Sequence, residues 1–310
     1  MRGELKEQTA ASKKKIVINL NKIAMKRIII CGIALTILMA MLLTSCHKET
    51  NNNSSTENPI DDHYANQQYP PTAQVIRKAV TDIDGNIYDA VQIGDQVWMA
   101  ENLRTTRYAD GTEIPLSPEF NWSETLPYRS APGNNQSNEE NMGNVARWGY
   151  LYNWAAVMYK HTYVYPYGIQ GICPDGWHVP SVTEWDELYS YLRTQPEYIS
   201  GNDSFNVAKS LAATWGWRTS VDDTTECDIN TPGNDPSSNN ATGFSALPAG
   251  SAGYDGFGGF GGFAIFWTTG WEKSKDMGTD IRLIHFNGAV LGGNWAPRQC
   301  NCSVRCVRNE

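Results

Sequence analysis

The strongest constraint on this chain is a short apolar run near its start, which follows two basic residues and ends at a cysteine. Lys26 and Arg27 precede sixteen mainly apolar residues, Ile28–Leu43, and the run ends in Leu-Thr-Ser-Cys46. A basic segment, a short apolar segment and small residues before the cut are typical of a secretory signal, whereas a spanning helix needs about 20 apolar residues. We therefore predict a lipoprotein that is lipidated at Cys46, with a plain transmembrane anchor as the alternative.

The signal also locates the protein. A lipid-anchored chain of this kind is expected in the outer membrane, facing the periplasm or the cell surface, with the membrane as one partner through the lipid. Met25 directly precedes the basic pair and is a candidate for the true start. Residues 1–46 carry a net charge of +6 and the whole chain −8, so the remainder carries −14. Because nucleic-acid binding needs a basic surface, this balance argues against a nucleic-acid partner.

The exported part divides into a tether and one domain. Residues 47–74 are rich in Asn, Ser and Thr and end near Pro70-Pro71. Such a segment buries too little apolar surface to offset its ordering entropy, so we predict a flexible tether. Residues 75–310 hold all 11 tryptophans and are long enough for a substantial aromatic core.

Turn dipeptides predict strands at the start of this domain. Asp84-Gly85 and Gly94-Asp95 separate β-branched runs, as they do in β-hairpins. The segment Asp-Ile-Asp-Gly-Asn from Asp82 resembles the beginning of a calcium loop. An EF-hand needs Gly at its sixth position and Glu at its twelfth, where this chain has Ile87 and Ile93. We therefore interpret the aspartates as turn formers.

The middle of the domain predicts helices between long loops. Ser181 and Glu184 form a capping box, so a helix should begin near Val182 and bury Trp185, Leu188 and Leu192. Aromatic spacing predicts a second helix over residues 147–159, and residues 206–217 predict another short one. Residues 116–146 are expected to be a surface loop. His178 is expected to be a packed structural histidine.

The C-terminal third predicts short strands separated by glycines. Candidate strands cover residues 243–250, 263–269, 281–290 and 300–308. The glycine-rich stretch 253–263 is not followed by Lys-Ser/Thr, so it lacks the phosphate-loop pattern and predicts a tight turn instead.

Seven sequence blocks occur in an order that resembles a known family. They are DIDGNIYDAVQIGDQVWMAENLRTTRYADGTEIP, RWGYLYNWAAV, ICPDGWHVPSVTEWDEL, AKSLAATWGW, TGFSALPAG, FWTT and SVRCVR. Together they resemble the Fibrobacter succinogenes major paralogous domain over roughly residues 80–310. The resemblance implies an α+β, C-type-lectin-like fold with a small, mostly antiparallel sheet, two flanking helices and long loops. It implies export and frequent lipid anchoring, but no defined molecular activity.

The resemblance also implies a disulfide between Cys173 and Cys306. Three other cysteines, Cys227, Cys300 and Cys302, depart from the family pattern. If residues 300–306 form a regular strand, Cys300 and Cys302 share a face about 6.5 Å apart, which is awkward for a mutual disulfide. Cys227 could reach either of them, and our hypothesis is Cys227–Cys300 with Cys302 free.

The resemblance further directs attention to the stretch between the Trp-Thr-Thr strand and the final strand, where related variable proteins bind ligands. We expect a ligand-binding face from the aromatic, charged and amide side chains there, which are Trp271, Glu272, Lys273, Lys275, Asp276, Arg282, His285, Asn287, Asn294, Trp295 and Arg298. Aromatic residues mixed with Arg and Asn suit recognition. The alternative is that both tryptophans are core and the charges only border solvent.

These patterns favour a binding protein over an enzyme. Neither the sugar-binding motifs of calcium-dependent lectins nor a hydrolase or metalloprotease motif is present. Formylglycine-generating enzymes hold copper on a C-terminal cysteine pair, but the spacings of Cys300, Cys302 and Cys306 differ from that pair. We therefore expect no cofactor, no catalysis, and binding of an extracellular or envelope protein or glycan. An envelope or fimbrial assembly component is the alternative, and a copper oxidase the third.

Overall fold

A computed structural model describes residues 69–70, 72–118, 123–135, 137–161, 168–219, 228–253, 256–270 and 278–310, which belong to one compact unit, Asn58–Glu310. Three predicted features, Cys46, Cys227 and the residues Trp271 to Asp276, lie outside this set. Within the described part of the chain no helix is both long and apolar enough to cross a membrane.

The architecture consists of three small sheets. The first has five strands in the order β1-β2-β3-β13-β6, and all its described pairings are antiparallel. Its strands are β1 (Gln74–Thr81), β2 (Ile87–Ile93), β3 (Gln96–Met99), β6 (Trp177–His178) and β13 (Val307–Arg308). As the turn dipeptides predicted, β1, β2 and β3 form two successive hairpins, and the second closes over Gly94-Asp95 alone.

The other two sheets are built mainly from the C-terminal third. One has the order β11-β10-β9, formed by β9 (Phe263–Trp267), β10 (Gly278–His285) and β11 (Gly292–Pro297). The last has the order β4-β5-β12-β7-β8, formed by β4 (Arg129–Ser130), β5 (Leu151–Asn153), β7 (Ser251–Gly253), β8 (Gly256–Gly258) and β12 (Asn301–Cys302). The chain is therefore mixed α+β with several small antiparallel sheets, which confirms the α+β class that the resemblance implied.

Helices are short except for one. The α-helices are α1 (Asn138–Asn141), α2 (Val145–Trp148), α3 (Trp154–Met158), α4 (Val182–Leu192) and α5 (Ala208–Leu211), and the 3-10 turns are Met142–Asn144, Pro196–Tyr198 and Pro236–Ser238. The predicted capping box of α4 is present in both directions, and the three predicted apolar side chains are buried. Helix α4 is the only described helix longer than five residues, so the second flanking helix that the resemblance implied is reduced to short turns.

The predicted helix over residues 147–159 is wrong. The chain there forms α2, then β5, then α3, because Gly149 lies at φ 76° and its neighbours pair with other strands. The predicted strand at residues 300–308 is also divided, into β12 and β13. The segment between these two strands is buried on both faces, so it crosses the core without a regular ladder.

The core is rich in aromatic side chains. Trp98, Trp185, Phe244 and Phe266 meet with ring centroids 4.6–6.0 Å apart. The guanidinium of Arg305 lies 4.5 Å from the ring of Phe244 and is fully buried. This cluster joins the first sheet to α4 and to β9, and it thereby fixes the position of the β10–β11 hairpin.

Candidate functional site

Three of the described cysteines, Cys300, Cys302 and Cys306, lie in or next to the last two strands. The structure contains the Cys173–Cys306 disulfide, which joins the segment before β6 to the end of the chain. Cys302 is fully buried, and burial, with the nearby Cys300, raises the pKa of its thiol well above the usual value. A thiol held protonated in this way is a poor nucleophile and a poor metal ligand. Cys306 is occupied by the disulfide, so its sulfur is not available to the copper-binding thiol pair that the third alternative needs.

The Asp-Ile-Asp-Gly-Asn segment forms a turn between β1 and β2. Asp82 accepts hydrogen bonds from the backbone N–H groups of Asp84 and Asn86, from the Asn86 amide, and from the Tyr88 hydroxyl at 2.6 Å. These donors occupy both of its carboxylate oxygens. This geometry agrees with the interpretation of Asp82 as a turn former and leaves little capacity for a cation.

A second aspartate fixes the neighbouring loop. Asp84 binds Arg107 Nε at 2.6 Å and accepts hydrogen bonds from Thr105 and Thr106. Burial raises the pKa of Asp84, but the hydrogen bonds from Thr106, Arg107 and Thr105 outweigh it and hold the pKa below its usual value. A cleft of about 210 Å³ lies between residues 81–83, this loop and residues 172–175. No group of three His, Cys, Asp or Glu side chains suited to a metal occurs among the residues that the structure describes.

His178 is a structural histidine. Its Nε2 lies 2.5 Å from Glu184 Oε1, and its Nδ1 lies 2.7 Å from Asn309 Oδ1. Burial lowers the pKa of His178, but its hydrogen bond to Glu184 and the charge of that carboxylate outweigh burial and raise the pKa overall. The histidine therefore ties the start of α4 to the C-terminal residues.

The β10–β11 hairpin brings two predicted ligand-binding residues to one face. Trp295 is directly opposite Asp280, and Arg282 lies two residues further along β10. Since cross-strand partners and residues two apart project to the same side, these side chains share a face. Arg282 Nη2 binds Asp186 Oδ1 of α4 at 2.6 Å. We call the surface formed by Trp295, Asp280, Arg282 and Asp186 the hairpin face.

Trp295 is not part of the described core. It is half-buried and belongs to none of the three clusters of buried apolar side chains. Its ring lies against the backbone of Gly278, where an added Cβ would stand 2.5 Å from Trp295 Cε3. Arg282 is mostly buried at 12% side-chain exposure, whereas Asp186 is 62% exposed. Trp295 is therefore only partly buried and lies outside the buried apolar clusters of the described residues.

The other predicted residues are not gathered on this face. His285 lies on the opposite side of β10, with its ring 4.4 Å from that of Phe263. Asn294 is exposed opposite Ile281. Asn287 follows the end of β10, and the carbonyl of Arg298, beyond β11, accepts the N–H of Trp154. Successive side chains of a strand point to opposite faces, so residues that the sequence analysis grouped by composition lie on different faces of the hairpin.

Sequence reasoning missed Asp186, which comes from a helix far away in the chain. Its neighbours Trp185 and Leu188 predict the buried face of α4, and this pattern places Asp186 on the exposed side. The pattern cannot show which strand that side meets.

Comparison with known proteins identifies the family. No curated protein and no solved structure matches the chain. Residues 91–308, more than two thirds of the chain, match the Fibrobacter succinogenes major domain. That stretch includes β3, α4, the disulfide and the whole hairpin face. The chain therefore belongs to the Fibrobacter succinogenes major domain family.

Proposed function

We propose that this chain is an exported, lipid-anchored recognition protein that binds an extracellular or envelope protein or glycan through the hairpin face. The observation that carries the proposal is Trp295, an aromatic side chain that is held against Gly278 yet stays outside the described core. Trp and Arg are both enriched among the residues that contribute most of the free energy of binding at protein interfaces. The C-type-lectin-like character of the fold and the absence of catalysis belong to the same proposal.

The surroundings of Trp295 support recognition. Arg282 is held by Asp186 across two elements, so its guanidinium is positioned before any ligand arrives. Preorganised side chains lose less entropy on binding than mobile ones. Asp280, directly opposite Trp295, adds an acceptor to the same face. This mixture of one aromatic surface with both charges suits a polar ligand.

Binding is tested with the full chain and two substitutions on the hairpin face. A panel of envelope proteins and purified glycans is screened by biolayer interferometry, and each binder is then measured against Trp295→Ala and Arg282→Ala. We expect both variants to lose at least about tenfold in affinity, the usual effect of removing a central binding residue. Val290→Ala is the matched control, because Val290 is exposed in the same hairpin at its turn.

The outcomes separate the alternatives. Loss of binding with an unchanged melting temperature supports recognition by this face. A large fall in melting temperature for Trp295→Ala would instead assign it a packing role. Co-purification with envelope components at fixed stoichiometry, unaffected by either variant, would favour the assembly alternative. Bound copper would favour the oxidase.

The anchor is tested separately. We propose that Cys46 carries the lipid and that the polar stretch after it serves as the tether, up to the packed residues that begin at Tyr69 and lead into β1. Cys46→Ala should abolish incorporation of labelled palmitate and leave the precursor uncleaved, as seen on an immunoblot of cell fractions. Normal labelling in that variant would contradict the proposal.

A further inference from the structure

A second aromatic surface lies away from the residues that the sequence singled out. Trp148 of α2 contacts two rings from other parts of the chain, Trp215 with centroids 5.0 Å apart and Phe260 at 4.3 Å. Trp215 and Phe260 are half-buried. The Arg147 guanidinium lies 4.4 Å from the Trp215 ring. We call these four residues the aromatic platform.

Glycines hold this platform in place. Gly216 lies at φ 84°, and a Cβ there would stand 2.5 Å from Trp148 Cη2. The glycine-rich loop that carries Phe260 is fixed by two backbone hydrogen bonds of 2.8 Å, from Arg218 N–H to Gly261 and from Gly261 N–H to Pro248. Backbone contacts at Gly216 and at Gly261 therefore hold the rings of Trp148, Trp215 and Phe260 in their positions. A preset surface of this kind loses little entropy when a ligand stacks on it.

The aromatic platform has one positive charge, Arg147, and no carboxylate that pairs with it among the described residues. Arg147 is exposed, and no carboxylate lies within ion-pair distance of it among the described residues. Carboxylates pair with Arg77, Arg104, Arg107 and Arg282, whereas Arg193, which also lies over an aromatic ring, resembles Arg147 in having no carboxylate partner among the described residues. Residues 47–310 carry a net charge of −14, and within this acidic part of the chain the Arg147 guanidinium lies on an indole and is exposed to an anionic ligand.

We propose that the aromatic platform binds an anionic glycan. The apolar C–H face of a uronic acid residue would stack on Trp215 and Phe260, and its carboxylate would pair with Arg147. Aromatic rings bind flat, weakly polar faces, and the planar guanidinium binds a carboxylate through two parallel hydrogen bonds. Trp148 is buried, whereas the half-buried Trp215 and Phe260 and the exposed Arg147 reach the surface from three separate segments, which suits side-on contact with a polymer. This site is distinct from the hairpin face.

The test measures binding of hexagalacturonate to the full chain by isothermal titration calorimetry. We expect binding that weakens with added salt. Arg147→Glu should reduce affinity at least about tenfold through loss of a charge-assisted contact, and Trp215→Ala should do the same through loss of stacking. Because Arg147 is exposed, its substitution leaves the core intact, so the result does not depend on how well Trp215→Ala folds. A hexamer of the neutral sugar galactose should bind at least about tenfold more weakly.

The matched control is Arg193→Glu. Arg193 also lies over an aromatic ring, 3.7 Å from Phe205, so this variant makes the same charge change at another arginine that stacks on a ring. Unchanged affinity in this variant supports the proposal. An equal loss would mean general charge attraction and would overturn it. No binding of hexagalacturonate, or equally tight Arg147-dependent binding of polyglutamate, would overturn it as well, the latter in favour of an acidic peptide. If Arg147→Glu loses affinity for hexagalacturonate but keeps normal binding through the hairpin face, the aromatic platform is a site separate from the one in the proposed function.

Discussion

At the scale of single residues, buried charge has the largest consequences. Arg305 is fully buried and donates hydrogen bonds to the carbonyls of Met99, Phe244 and Ser245 and to Asn102 Oδ1. One side chain therefore satisfies acceptors from two separate parts of the chain, residues 99–102 and 244–245. Nothing in the local sequence around Arg305 predicts this role, since an arginine between a valine and a cysteine usually projects from a strand into solvent.

Removing this guanidinium should destabilise the domain strongly. In Arg305→Met four buried acceptors lose their donor, and each unsatisfied group costs about 1–3 kcal/mol, so we expect a loss of at least about 3 kcal/mol in urea unfolding. The control is Lys160→Met. That lysine is 71% exposed in its ion pair with Asp110, which is 46% exposed, and exposed pairs contribute about 0–1 kcal/mol. Equal effects of the two substitutions would contradict the assignment.

Glu101 gives the domain a pH dependence. The side chain is 2% exposed, and burial, which outweighs the attraction of Arg104, raises the pKa to about 7. A carboxyl group whose pKa is higher in the folded than in the unfolded protein contributes stability at low pH. That stability is lost as the pH rises from the unfolded value, near 4.5, through the folded value near 7.

Denaturant unfolding between pH 4.5 and 8 measures this loss. Wild type should lose about 3 kcal/mol more across this range than Glu101→Gln, which cannot ionise. Glu187→Gln serves as the control, since Glu187 is exposed on α4 and its loss should leave the wild-type slope unchanged. Parallel curves for wild type and Glu101→Gln would show that Glu101 does not titrate in this range.

At the scale of elements, the sequence predicted best where a local signal sufficed. The two N-terminal hairpins and α4 follow from turn dipeptides, a capping box and apolar spacing, and the structure confirms them. The helix prediction for residues 147–159 was wrong. Their aromatic spacing fits a helix locally, but β5 in the middle of this stretch pairs with β4 and β12. Part of the hairpin face could be predicted from composition, but its register, and with it the exclusion of His285, depends on pairing between strands.

The cap of α4 offers a test of such a local signal. Ser181 Oγ accepts the N–H of Glu184, and the Glu184 carboxylate accepts the N–H of Ser181 at 2.7 Å. Ser181→Ala should therefore cost about 1 kcal/mol in unfolding free energy. Ser190→Ala, an exposed change within the same helix, should cost nothing or slightly stabilise, because alanine is the better helix former. The reverse order would mean that tertiary contacts alone hold the helix start.

At the scale of the whole molecule, the disulfide closes most of the domain into one loop. Cys173 and Cys306 are 133 residues apart, and the segment between them contains α4, the glycine-rich loop and the hairpin face. In the chain-entropy account, closing a loop of this length stabilises the folded state by about 5 kcal/mol. Export to an oxidising compartment, which the signal predicts, is therefore directly relevant to stability.

Thiol counting on the exported chain tests this arrangement together with the buried thiol. Under native conditions Cys302 should resist iodoacetamide, because burial keeps its thiol protonated and out of contact with the reagent. Unfolding without reduction should expose Cys302, whereas Cys173 and Cys306 should react only after reduction. Peptide mass spectrometry identifies each alkylated cysteine and also reports whether Cys227 and Cys300 are joined, as the sequence hypothesis holds. Cys302→Ser is the control that removes the unfolding-dependent label. Rapid native labelling of Cys302 would contradict its burial and would make the thiolate chemistry of the copper alternative the next question.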